Sequence, residues 1–476
     1  MPEQLVPQDP FLVAHWIGQR WFAITGKLSP MSIRDQMLRA TAIVDRAFAD
    51  DLIGSNKSLL VVGAGAGGAS AAMRAASLRV PTTLVEQRLL AFTRQGSSHR
   101  WVDPTEYDWP AHHWREGNSR WFGEFPETPL WYERCHASQL GGHWRDQLNA
   151  FLSTAPGKLL DFQTGTRLLG RPRYYQKARM LEVTLRKAKA EEKLVKRFNM
   201  VLDSRGPGSE LAIGRYAGFG YWDRDPFERE HLELPEGCVP RVLISGGGDG
   251  ALQDFLRMIF PGRSPREILG ALSDESRALV EREIYYAEDQ AQRQYVWGTG
   301  AKRDDCIVLG LLQRAHERLV ARIFEDKTLR PIREDVCQVL KGAIRPVLDL
   351  GNLHLAHKCT HFGRCYPANR FLVVLVDRFL REKGSPSTLQ SGLHLAEVNP
   401  ADGHQCRSDR GWECHGKEHK VVFRAARDCV DLTGDIEHRL YNAIIIRHGV
   451  TGRPWPGHTT RILMPRQSLP YYSPWH

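Results

Sequence analysis

The sequence predicts an α/β protein in which one supersecondary unit is built twice. A buried-strand, glycine-turn, helix pattern occurs at residues 58–86 and again from residue 241. Each occurrence opens the same order of later elements, which is the mark of a repeated architecture even where residues have diverged. The 476 residues exceed what one ordinary core supports, and 42% hydrophobic with 25% charged residues describes a globular chain.

Ahead of the first unit, residues 1–57 read as a helical extension. The unit itself is Ser58-Leu-Leu-Val-Val-Gly63-Ala-Gly65-Ala-Gly67-Gly68-Ala-Ser-Ala-Ala, and a second strand follows at Thr83-Leu-Val-Glu86. Gly63 allows a tight turn. Gly65 lets a pyrophosphate approach the backbone at a helix N-terminus, and Gly68 lets that helix pack closely on the strand. Glu86 is then placed to accept hydrogen bonds from a ribose. Strand, turn, helix and acidic residue all fall where dinucleotide binding needs them, so the motif is more than a bare glycine match.

The second occurrence is Arg241-Val-Leu-Ile-Ser-Gly246-Gly-Gly248-Asp249-Gly-Ala251-Leu. Its glycines fall at the first and third positions, with Ala251 at the sixth, where a small residue permits the same contact. Helices at His143–Leu152 and Asn369–Leu380 follow the two units, each leading into strand-like segments. Those segments close at Ser204-Arg205-Gly206 in the first half and at Arg447-His448-Gly449 in the second. After the helix at 252–258 no second strand is legible. The chain runs into Phe260-Pro-Gly-Arg-Ser-Pro and a long stretch with apolar residues at helical spacing, read as an inserted helical subdomain over about 262–348.

This order resembles the two-dinucleotide-binding-domain flavoproteins, the group of flavin monooxygenases and thioredoxin-reductase-like enzymes with two Rossmann-like units, β-meanders and, here, a helical insertion in the second. The resemblance implies an FAD-binding domain over 58–239, an NAD(P)-type domain over 240–450 and a tail over 451–476. It implies that Gly63, Gly65, Gly67, Gly68, Glu86 and Gly206 hold FAD, and Arg88, Arg94 and Arg100 are the candidates to neutralise cofactor phosphates. Gly246, Gly248, Asp249 and Ala251 would face the pyrophosphate of NAD(P)H. The implied activity is FAD-dependent oxidation or reduction driven by NAD(P)H on a small, aromatic or oxygenated substrate, by hydride transfer or oxygenation.

Two other readings stand beside it. One is a dinucleotide-binding sensor or scaffold without turnover, suggested by the incomplete second unit. The other is an S-adenosylmethionine-type transferase, which would need an acidic residue at the end of the strand after residue 256. No C-x-x-C occurs, so the disulfide relay of the thioredoxin-reductase-like enzymes is absent.

The chemistry is expected in the aromatic-rich loop 97–144, which holds six of the chain's thirteen tryptophans. Aromatic planes suit a flat cofactor or substrate as well as simple packing. Within it, His99, Asp108 and His113 are the candidate acid–base groups. Cys359, His361, Cys365, His404, Cys406, Cys414 and His415 form the one cluster with metal-ligating chemistry, but their spacings are looser than common zinc knuckles, and no metal is assigned.

The net charge of +10 favours anionic partners such as phosphorylated cofactors, and the basic stretch 167–197 is broken by glutamates, unlike a nucleic-acid footprint. No apolar run is long enough to cross a membrane, and nine scattered cysteines suit reduced thiols, so a cytoplasmic location is expected. A protein partner or second copy would dock on the helical insertion.

Overall fold

The structure is a computed structural model that describes residues 7, 9–24, 32–96, 98–104, 106, 109–110, 128–188, 193–206, 208–214, 216, 218–223, 241–294, 302–344, 352–363, 365–401, 418–427 and 430–450. The first half runs α1 (Pro10–His15), β1 (Trp16–Gly18), β2 (Trp21–Ala23), α2 (Ile33–Ala49), β3 (Leu59–Val62), α3 (Ala66–Ser77), β4 (Thr82–Val85), β5 (Trp101–Val102), β6 (Cys135–His136) and α4 (Ala137–Leu152). It continues with β7 (Leu160–Gln163), β8 (Thr166–Tyr175), β9 (Met180–Lys187), β10 (Lys193–Phe198) and β11 (Met200–Asp203).

β3 is a four-residue apolar run and β4 pairs two threonines with Leu84 and Val85, and both are buried at every position, as strands covered on both faces must be. They lie in one sheet of order β1-β2-β11-β3-β4-β7, parallel from β2 onward. α3 is almost entirely alanine, glycine and serine, which lets it sit close to the sheet while α2 packs on its other side. A capping box between Ser32 and Asp35 starts α2. The N-terminal segment, read from sequence as helical, therefore also supplies a strand, with β2 pairing to β11. β8, β9 and β10 form an antiparallel meander.

The second half comprises β12 (Val242–Ser245), α5 (Asp249–Ile259), α6 (Pro265–Gly270), α7 (Asp274–Gln294), α8 (Lys302–Glu325), α9 (Arg330–Ala343), β13 (Leu353–His357) and α10 (Pro367–Glu382). Then come β14 (Leu389–Ser391), β15 (Leu393–Pro400), β16 (His419–Arg427), β17 (Val430–Tyr441) and β18 (Ala443–Ile446). Its parallel sheet has the order β14-β13-β12-β18, and β15, β16 and β17 form a second meander.

Strand for strand the halves match: β11-β3-β4-β7 in one is β18-β12-β13-β14 in the other. The strand that is not legible after the second glycine helix is present as β13. It pairs in parallel register with β12, Val242 opposite Leu353, after the chain has made the four helices α6 to α9. Those helices mostly build the second core, although Val308 and Leu312 of α8 join the first. α10 is apolar nearly all round because it lies among α5, α6 and α8. No helix among the described residues is long and apolar enough to cross a membrane.

Candidate functional site

Both glycine turns open onto one cleft of about 1670 Å³, larger than the roughly 300–1,000 Å³ of a single small-ligand site. On the first turn, Gly63 has φ +105°, a conformation that side-chain-bearing residues avoid. A Cβ on Gly68 would lie 1.9 Å from Gly63 O and 2.3 Å from Ser204 Oγ. Gly68 therefore lies inside the structure, holding α3 against β3 and the chain after β11, and does not line the cleft. At Gly65, by contrast, no atom lies within 4 Å of where a Cβ would stand. That opening sits at the N-terminus of α3, where free backbone N–H groups and the helix dipole attract an anion.

Glu86 follows β4 directly. Its Oε2 accepts from the N–H of Ala64 at 2.8 Å and its Oε1 from the N–H of Arg88 at 2.9 Å. The carboxylate so fixes the turn while each oxygen keeps capacity for another donor. Gly67, Arg88, Arg94 and Gly206 also line the cleft. Arg88 donates to Thr93 Oγ1 at 2.7 Å and Arg94 to the carbonyl of Gly208 at 2.9 Å.

The second turn repeats this plan. Gly246 has φ +148°, and a Cβ there would lie 2.4 Å from the carbonyl of Arg447, the residue equivalent to Ser204. Gly248 caps α5 with open space beside it, and Ala251 is fully buried in the place of Gly68. Superposing the registers puts His357 where the first half has Glu86, with Lys358 next to it in the cleft wall. Burial pushes the His357 imidazole down to about 4.

Asp249 does not face a phosphate freely. Its Oδ1 accepts from the N–H of Tyr366 at 2.8 Å and from Asn369 Nδ2 at 3.0 Å, and burial lifts its pKa to about 7. Five residues further along α5, Asp254 is fully buried among three arginines. It meets Arg100 at 2.6 Å, Arg447 at 2.7 Å and Arg257 at 2.8 Å. Burial alone would raise its pKa, but the three guanidinium groups together hold it below the usual carboxylate range. Arg100 belongs to the first half, so this ion cluster ties the segment 98–106 to α5.

The acid–base candidates fare unevenly. His99 is exposed and does not line the cleft; its carbonyl accepts from His136 Nδ1 at 2.6 Å. Asp108 and His113 lie outside the described residues. Among the described tryptophans of the loop, Trp101 alone lines the cleft. Trp109 is buried in the second core, stacked 5.9 Å from Phe371, and Trp144 is buried in the first. Packing explains those two rings. Glu106, by contrast, is buried in the cleft wall, 7% exposed, where Gln253 donates to it at 3.0 Å. It was visible in the sequence only as one more polar loop residue.

Of the cysteine and histidine cluster, His404, Cys406, Cys414 and His415 lie outside the described residues. Cys359 is disulfide-bonded, contrary to the expectation of reduced thiols throughout, and burial pushes the Cys365 thiol up to about 12. No group of three or more metal-type side chains occurs among the described residues.

No protein-family model and no curated protein matches the chain. Among solved structures, it is similar to bacillithiol disulfide reductase from Bacillus cereus, at 9% identity and a TM-score of 0.38 over 83% of this chain and 78% of that one. It is also similar to thioredoxin reductase from T. acidophilum, at 10% identity and a TM-score of 0.35 over 88% and 98%. A third is the ornithine N-hydroxylase of Kutzneria sp. 744 in complex with reduced FAD, NADP+ and L-ornithine, at 11% identity and a TM-score of 0.35 over 83% and 80%. All three structures are similar to this chain only at low identity and at TM-scores below 0.5.

Proposed function

We propose that the chain is an FAD-dependent oxidoreductase reduced by NAD(P)H, with FAD along the first glycine turn and the nicotinamide nucleotide along the second. The observation that carries this reading is that two matching units present their helix N-termini, each with an open glycine, to one continuous cleft. The fit is tested by the two open positions, Gly65 and Gly248, against the two crowded ones, Gly68 and Gly246. Backbone can be approached only where the structure leaves room for an approach. Gly63, Gly65, Gly67, Glu86 and Gly206 would hold FAD, and Gly246, Gly248 and Lys358 would hold NAD(P)H. Bound flavin supplies the hydride chemistry; the protein's part is to place it, exclude water and manage protons.

The acidic residue of the first half is replaced by His357 in the second, and the positive charge of the adjacent Lys358 suits a 2′-phosphate. The same absence of an acid leaves the transferase reading unsupported, and β13 supplies the strand whose absence suggested a scaffold.

Absorbance of the purified protein and mass spectrometry of what heat releases test the first half of the proposal, with FAD near one per chain as the expected result. Gly65→Val should abolish flavin retention with folding kept. Gly248→Val should keep the flavin and raise the KM for NAD(P)H on the order of tenfold or more, since losing one anion contact of about 1.5–3 kcal/mol does so. Colourless wild-type protein would overturn the reading.

A further inference from the structure

Glu106 lines the cleft onto which both glycine turns open. Gln253 Nε2 donates to its Oε1, and Gln253 Oε1 in turn accepts from the Tyr221 hydroxyl. Tyr221 is itself clamped. Its N–H donates to Glu210, the Arg100 guanidinium lies 4.1 Å over its ring, and that of Arg447 lies 5.7 Å away. A buried carboxylate is costly unless a cation pairs with it. The arginines nearby, Arg100, Arg257 and Arg447, all pair with Asp254, Arg447 also with Glu210, and no ion pair reaches Glu106 among the described residues.

We propose that Glu106 is the proton-donating acid of this cleft, positioned by Gln253 and Tyr221. The proposal rests on the oxidoreductase reading. In a reduction, the substrate takes a hydride that originates in NAD(P)H on one atom and the Glu106 proton on its neighbour. The carboxylate left behind recovers a proton from water. One NAD(P)H and one H+ are consumed, and NAD(P)+ and the two-electron-reduced substrate result.

The surroundings agree. Burial lifts the Glu106 pKa to about 8, with the Gln253 hydrogen bond opposing the shift and Asp103 and Asp249 reinforcing it. Tyr132 and Tyr221 also bear on it, and burial pushes the Tyr221 phenol up to about 12, so it stays a donor to Gln253. A carboxyl that is neutral near pH 7 can give a proton where an ordinary glutamate cannot.

The test compares NADPH-dependent reduction of a quinone, which takes hydride and proton, with that of ferricyanide, which takes electrons alone. Glu106→Gln keeps the shape and should lower quinone reduction on the order of 100-fold more than ferricyanide reduction. Wild-type quinone turnover should fall as pH rises through about 8. Gln253→Leu should move that inflection upward, and Glu106→Gln should remove it. A second readout needs no turnover. Because folding raises this pKa, the folded form binds the proton more tightly, so stability should decline from the ordinary value of 4.5 up to about 8. In Glu106→Gln that part of the decline should vanish.

A working oxidoreductase whose quinone profile and acceptor ratio are unchanged in Glu106→Gln overturns the acid role alone. A protein that oxidises no NADPH overturns the functional reading as well.

Discussion

The helices that follow the two glycine turns share a backbone plan but differ in most of their side chains. At equivalent places α3 carries Ala66, Ser70 and Ala71, whereas α5 carries Asp249, Gln253 and Asp254. α3 is a cradle wall: small residues let it approach the sheet, and it makes few demands on its neighbours. α5 is a joint. Its three polar side chains reach Tyr366 and Asn369, Glu106 and Tyr221, and Arg100 with Arg447. One motif has been filled for close packing and the other for holding the two halves and an active carboxyl together.

The strongest way to break this contrast is to exchange the residues that define it. Asp254→Ala should destabilise the protein by about 3–5 kcal/mol, because it removes the carboxylate that the buried Arg100 and Arg447 share. Ala71→Asp, which buries a carboxylate with no such partners, should cost a similar amount. Denaturant unfolding measures both, and two mild results would mean that the helices are interchangeable. Acid should act in the same direction as Asp254→Ala. The folded pKa of Asp254 is depressed, so its contribution is present above the ordinary value of 3.8 and is lost as pH falls below it.

The next comparison is at the sixth position. Gly68→Ala should cost about 1–3 kcal/mol or more, since its Cβ would meet backbone atoms that cannot give way. The reverse change at the matching site, Ala251→Gly, should cost only about 1 kcal/mol. Thermal denaturation of the two variants sharpens the contrast, and equal costs would refute the crowding of α3.

A smaller effect is expected at the strand end. Glu86→Ala should weaken flavin retention by on the order of 1–3 kcal/mol through lost charge-assisted hydrogen bonds. His357→Ala, at the equivalent place, should leave flavin content unchanged. Flavin occupancy after dialysis measures the pair.

These features differ in how legible they are. Gly63, Gly65, Gly68 and Glu86 act through local backbone geometry within thirty residues of one another, so spacing alone reveals them. The closing segments at Gly206 and Gly449 are legible for the same reason. β13 is not, because ninety-odd residues, the helices α6 to α9 among them, intervene between α5 and a strand of only five residues. Arg100 is legible as a candidate to neutralise phosphate, but the parts that it and Glu106 actually play escape for a deeper reason. Their chemistry is created by Gln253 and Asp254, which lie 147 and 154 positions away in the chain. No pattern around residue 106 records that meeting. His99 illustrates the converse, since a residue type suited to proton transfer says nothing about which way the loop turns it.

The delayed strand has a kinetic corollary. In the first sheet, Leu59 finds Thr82 after 23 residues, whereas in the second Val242 must find Leu353 after 111. Treated as flexible loops, the second closure costs about 1.4 kcal/mol more in chain entropy, a roughly tenfold slower encounter at otherwise equal barriers. Order of assembly follows: the first glycine turn closes early from local contacts, and the second waits until α6 to α9 have folded and shortened the span that separates its two central strands.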